Sequence, residues 1–332
     1  MRELRVGFES ALDFWRAARI AAPGRIVEVP EGKIYGAREL SLSEQVSLAC
    51  NLCNTEPPLD VVVPRADARI NSERVNSHVW SGPLSEKHLV PLGDGVLVCR
   101  PAPMFLQLAT VMDEIDLARV GYELCGTYAL DADSERGFVD GIPPLVDIAE
   151  LSAYARSAMA LGIRGAARAM RALDIMAGGS DSPRETDVAV FLASTRLCGG
   201  AGVPGFRMNV SISLPEELAE VLGQRTARPD FSWPDGTVGE YDSDEYHRDP
   251  VARARDERKR RAYQAVGLDC VTMTRGTFRS NAELDLFVTD LEASLGLHRN
   301  PPNERMLAAR RRLRERLFGP EEISSAIRVL RD

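Results

Sequence analysis

The sequence predicts an α/β fold in two parts: a mixed sheet flanked by helices in the C-terminal half, preceded by a smaller α+β module. Short apolar runs such as Val61–Val63 alternate with longer stretches of helical period. A small, polar, helix-breaking stretch, Gly178–Pro183 (GGSDSP), interrupts the pattern near the middle. After it, residues 231–274 read strand–turn–strand–helix–strand. At 332 residues the chain is about twice the usual length of one domain. The expected segments are an α+β module over 1–130, a helical connector over 131–180, the sheet domain over 181–298 and a basic C-terminal helix over 299–332.

Composition narrows the function classes. The chain is 44% hydrophobic, 27% charged and 6% aromatic, which suits a globular protein with buried cores. Its net charge of −8 disfavours nonspecific coating of nucleic acid or docking to an anionic membrane, while leaving room for a local basic site. No apolar run reaches 18 residues, so no membrane span is expected, and the polar N-terminus points to the cytoplasm. The 41 basic residues are 38 Arg and three Lys (Lys33, Lys87, Lys259), so lysine-dependent chemistry has few candidates. The six cysteines (Cys50, Cys53, Cys99, Cys125, Cys198, Cys270) are too sparse for a disulfide scaffold. Cys50 and Cys53 have metal or redox spacing, but no second pair follows, and two reduced thiols at a helix end is the simpler reading.

In the first part, Ser10–Ile20 and Glu44–Ala49 read as helices, and Arg25–Val29, Val61–Val63, Val75–Trp80 and Gly95–Cys99 as strands. Pro103–Ala118 reads as one apolar helix, and Asp147–Ala177 as a helical stretch broken at Gly162 and Gly165. A further helix starts at Ser182, with Ser182 as cap, Pro183 in the first position and Glu185 three residues after the cap.

The informative stretch is 228–261. Pro234-Asp235-Gly236 is a turn in which Pro fixes φ and Gly supplies φ > 0. A turn centred on Asp235 sets Asp230 opposite Glu240, on one face of the hairpin. Asp242 shares that face, because strand side chains repeat every two residues. Three converging carboxylates raise one another's pKa unless a hard divalent cation neutralises them, and Mg²⁺ or Mn²⁺ is the natural one. The alternative is an exposed sheet edge leading into a solvated acidic loop, Asp242–Glu245. His247 follows five residues after Asp242, placed to carry a proton. Asp249-Pro250 then opens a helix to about Val266, closed by Gly267. Between Arg248 and Arg261 it carries seven basic and three acidic residues, a net of 7 − 3 = +4. Such a run is either a solvated face or a phosphate-binding surface, to which Arg248, Arg255, Lys259 and Arg260 would contribute. Leu268–Thr274 returns as a strand, and Glu304–Arg316 reads as a charged surface helix.

Four stretches resemble the PD-(D/E)xK nuclease superfamily, in particular its very-short-patch repair endonuclease-like branch. They are Ser182-Pro183-Arg184-Glu185; Pro229-Asp230-Phe231; Glu240-Tyr241-Asp242-Ser243 followed by His247; and Asp256-x-x-Lys259-x-x-x-Tyr263-x-x-x-Gly267 before an apolar strand. The resemblance covers about 182–295. It implies a restriction-endonuclease-like mixed sheet and Mg²⁺-dependent DNA cleavage. On it, Asp230 is the central metal ligand, Glu240 and Asp242 take the acidic and catalytic places of the second strand, His247 assists at the phosphate, and Glu185 orients water or metal. Asp242 stands where the superfamily usually has Lys, and helix capping alone also explains Glu185. Val61-Val62-Val63-Pro64-Arg65, the extended stretch to His78, and Pro101–Ala109 resemble the C-terminal region of antitoxins from type IV toxin–antitoxin systems. The expected partners are DNA and a toxin or other protein. Two rivals to an endonuclease stay open: an inactive nuclease fold acting as an antitoxin-like regulator or binding module, and a structural domain with a surface hairpin.

Overall fold

The computed structural model describes residues 3–22, 40–242 and 250–319, with backbone alone at 221–222 and 250–256. The chain forms two compact units, Met1–Met176 and Ala177–Asp332, each mixed α/β with helices flanking the sheets. No described helix is long and apolar enough to cross a membrane.

The first unit is built on β1 (Leu4–Val6), β2 (Leu59–Val63), β3 (Val75–Val79), β4 (Leu89–Gly93) and β5 (Val96–Cys99), in the order β3-β2-β1-β5-β4. β1 lies parallel to β5 and antiparallel to β2, and β2 lies parallel to β3. Leu4, Val6, Val61, Val96 and Val98 are buried, as are Leu12 and Trp15 of α1 (Phe8–Ala21). Trp15 fixes that helix by donating Nε1–H to the Cys99 carbonyl at 2.8 Å. α2 (Leu42–Cys53) starts on a Ser41–Glu44 capping box. Cys50 and Cys53 are buried free thiols at its end, and burial with Cys50 alongside pushes Cys53 up to about 12.

The helix expected over Pro103–Ala118 is in fact two, α3 (Pro101–Leu108) and α4 (Glu114–Cys125). Asp113 is the reason: its carboxylate accepts the Ile115 and Asp116 amides (3.0 and 3.1 Å) and so starts a new helix. β6 (Tyr128–Leu130) and β7 (Phe138–Asp140) form a hairpin, and α5 (Ile148–Ala160) and α6 (Ala166–Asp174) flank the break at 162–165. Glu123 of α4 is 2% exposed and holds Arg16 of α1 through two hydrogen bonds, 2.8 and 2.6 Å. β1 and β4 were not foreseen, being short strands without a full alternation. The expected Arg25–Val29 strand lies outside the described residues.

The second unit opens with α7 (Pro183–Ala193), capped by Ser182 as the sequence predicts. β8 (Arg207–Met208), β9 (Ile212–Ser213), α8 (Glu216–Leu222) and β10 (Thr226–Ala227) lead to the hairpin of β11 (Phe231–Ser232) and β12 (Thr237–Asp242). α9 (Pro250–Ala265) crosses over to β13 (Asp269–Thr274), which pairs parallel to β12, giving a sheet of order β13-β12-β11-β8. Phe231 opposes Gly239 and Ser232 opposes Val238, the register that a turn centred on Asp235 dictates. Gly236 holds φ +95°, where a side chain is disfavoured. Val238, Ala262 and Tyr263 are buried together on the α9 side of this layer, and Phe231 is buried on the other face against Phe206 and Trp233.

α10 (Asn281–Ser294) and α11 (Glu304–Phe318) complete the unit. α11 is more than a charged surface helix: Ala309, Leu313 and Leu317 are buried, and Arg310 is buried against Asp285 at 2.6 Å. Arg314 donates to the carbonyls of Phe278 and Arg279. Several arginines of this basic run therefore serve the packing of their own unit.

Candidate functional site

The register places Asp230 directly across from Glu240 on neighbouring strands, so the two carboxylates lie on one face. Asp230 is held through Oδ2, which accepts the Tyr241 amide at 2.7 Å. Burial and then the Glu240 charge push its pKa up to about 7, against the opposing pull of Lys259. Both Glu240 oxygens are engaged by α9: Lys259 Nζ lies 2.5 Å from Oε2, and the Tyr263 hydroxyl donates to Oε1. Lys259 and Tyr263 are four residues apart, so one helix face delivers both. Burial and the Glu240 charge raise the Tyr263 hydroxyl pKa further.

A third acid approaches from α7. Glu185 accepts hydrogen bonds from the Ser182 hydroxyl (3.0 Å), the Asp181 amide (3.0 Å) and Asn209 Nδ2 (2.7 Å). Burial and the nearby Asp230 charge push its pKa up to about 7. Helix capping and proximity to the acid pair are thus the same placement. Arg228 encloses this end of the site. Its guanidinium donates to both Asp181 oxygens (2.5 and 3.2 Å) and to the Asn209 carbonyl (2.8 Å).

Of the expected site residues, the structure gathers Asp230, Glu240, Glu185 and Lys259. The expected three-carboxylate cage is narrower than the spacing implied. Among the described residues no group of three His, Cys, Asp or Glu side chains stands ready to hold a metal ion. The reason is the strand repeat: Asp242 lies two residues beyond Glu240, about 7 Å along β12 and diagonal to Asp230. It ends β12, where the described chain stops before 243–249. His247 and Arg248 lie outside the described residues, and Arg255 lies on α9 with its side chain outside them. Arg260 is half-exposed and 3.8 Å from Glu257. Two opposed carboxylates remain, a number by which Mg²⁺ or Mn²⁺ is commonly held with water and phosphate oxygen completing the shell, and Glu240 would meet such an ion only once Lys259 turns away from it.

Asn209, Asp181 and Arg228 were not legible as site residues. Asn209 and Arg228 enter through the pairing of β8 with β11, two residues long and without a sequence signature, and Asp181 enters beside the α7 cap through Glu185 and Arg228. Tyr263 was visible only through the resemblance. Compared with known proteins, the chain has no significant match among family models, curated proteins or solved structures.

Proposed function

We propose that the second unit is a divalent-metal-dependent phosphodiesterase whose substrate is DNA. The observation that carries this reading is the convergence of Asp230, Glu240 and Lys259: two opposed acids with an ammonium delivered from the adjacent helix. Asp230 and Glu240 would hold Mg²⁺ or Mn²⁺, which when bound lowers the pKa of a coordinated water and polarises a phosphate. Lys259 turns from Glu240 to a non-bridging phosphate oxygen, a charge-assisted contact. Tyr263 keeps Glu240 oriented. Glu185, lifted to about 7, is suited to take a proton from the attacking water. Arg260 and the other cations of α9 hold flanking phosphates. Asp242 and His247 keep the places that the superfamily resemblance gives them, and Arg248 and Arg255 the part in phosphate binding that the basic run of 248–261 suggests.

The same Lys259–Glu240 pairing favours a second reading, a nuclease fold that binds DNA or a protein without cleaving, because it neutralises Glu240 from within the chain. One experiment separates the two. Purified full-length protein is incubated with supercoiled, linear and single-stranded DNA and with RNA, in Mg²⁺ or Mn²⁺. The nuclease reading expects cleavage that Asp230→Ala abolishes. Binding that is unchanged by Asp230→Ala, with every nucleic acid left intact and no metal-linked shift in melting temperature, overturns it in favour of the second.

A further inference from the structure

Asn209 follows β8 with φ +54°, a left-handed backbone that few residues other than glycine adopt. Met208 opposes Phe231, so Asn209 falls opposite Asp230, which itself opposes Glu240. Three polar groups of this one residue are committed to the site. The backbone amide donates to the Asp230 carbonyl at 3.1 Å. The side-chain Nδ2 donates to Glu185 Oε2 at 2.7 Å and to the Gly179 carbonyl at 3.0 Å. The carbonyl accepts from Arg228, whose other nitrogens hold Asp181. The Asp181 amide in turn donates to Glu185. Asn209 is therefore bonded on one side to the strand that carries Asp230 and on the other to the carboxylate of Glu185. Glycine would satisfy the backbone at this position without strain, but it has no side-chain amide. A neutral donor here holds one acid close to another, where Ala or a third acid would let them separate or repel.

We propose that Asn209 is a positioning residue of this site, fixing the Glu185 carboxylate beside Asp230 so that its negative charge stands next to a cation held by Asp230 and Glu240. The inference rests on the metal-dependent reading above and adds to it a residue that does not itself touch metal or substrate.

The test is a double-mutant cycle on the full-length protein, with Mn²⁺ as the probe and affinity measured by calorimetry. Asn209→Gly keeps the backbone geometry and removes the amide, so the variant should fold with an unchanged or higher melting temperature. Its Mn²⁺ dissociation constant should rise about tenfold. Glu185→Gln alone should weaken Mn²⁺ binding similarly. The double variant should lose little more than either single one, because Asn209 acts through Glu185, and the Mn²⁺ paramagnetic resonance spectrum should change alike in all three. Wild-type affinity retained in Asn209→Gly, or losses that multiply in the double variant, overturns the positioning role while leaving the metal site standing. If the wild type binds no Mn²⁺, the metal-dependent reading is overturned and the positioning role falls with it.

Discussion

Asp230 and Glu185 are acids stored where their charge is disfavoured, and this makes the fold sensitive to pH. Their pKa values rise from ordinary values of 3.8 and 4.5 to about 7 on folding. A carboxyl raised in the folded state adds stability that is fully present below its unfolded pKa and is lost as pH rises through the folded value. The pair's contribution therefore declines between about pH 4 and pH 7. Asp230→Asn removes one titrating group and relieves the other. Denaturant unfolding across that range should show a shallower decline for Asp230→Asn than for wild type; parallel curves would show that Asp230 does not titrate there. Lys259 yields a prediction in which two readouts move apart. Lys259→Met frees Glu240 from its ammonium, so Mn²⁺ should bind several-fold more tightly in calorimetry, while DNA cleavage falls by at least a hundredfold. Cleavage that survives in Lys259→Met would remove the lysine from the chemistry.

At the scale of elements, the hairpin was the most legible part of the chain. Pro234-Asp235-Gly236 fixes its own geometry, turn geometry fixes register, and register fixes which carboxylates face each other. Gly236→Ala should cost about 1–2 kcal/mol in equilibrium unfolding, since φ +95° opposes any Cβ. The capping of α7 was equally legible, because the Ser182 and Glu185 contacts are local. What the sequence did not disclose is contact between distant segments. The charge run alone places Lys259 among phosphate binders, and only the crossover of α9 over β12 brings it to Glu240. The split of the Pro103–Ala118 helix depended on whether Asp113 would face solvent or turn back to cap, which periodicity does not decide. In the first unit, Arg16 and Glu123 tie α1 to α4 through a pair with 13% and 3% of their side chains exposed. Removing one partner leaves the other charged and buried, so Glu123→Ala should destabilise by about 3–5 kcal/mol in denaturant titration.

For the whole molecule, the net charge of −8 and the cationic α9 act at different ranges. The global charge discourages loose association with DNA, while the local cations stand beside the acids, so binding should be weak and steeply salt-dependent unless the site is engaged. A cation that binds only the folded protein stabilises it by mass action, by about 2.7 kcal/mol at a hundredfold excess over its dissociation constant. At a few degrees per kcal/mol, Mn²⁺ should raise the melting temperature of the 177–332 unit by several degrees, and Asp230→Ala should abolish the rise. A rise that persists in that variant would place the ion elsewhere.

Three lysines in 332 residues give the Lys259–Glu240 contact an analytical use. An amine-acylating reagent has few targets here, and Lys87, which is exposed, supplies an internal standard. Lys259 should acylate slowly while Glu240 grips its ammonium. Its modification rate, read by peptide mass spectrometry, then becomes a gauge of whether an added ion or oligonucleotide has drawn the two side chains apart.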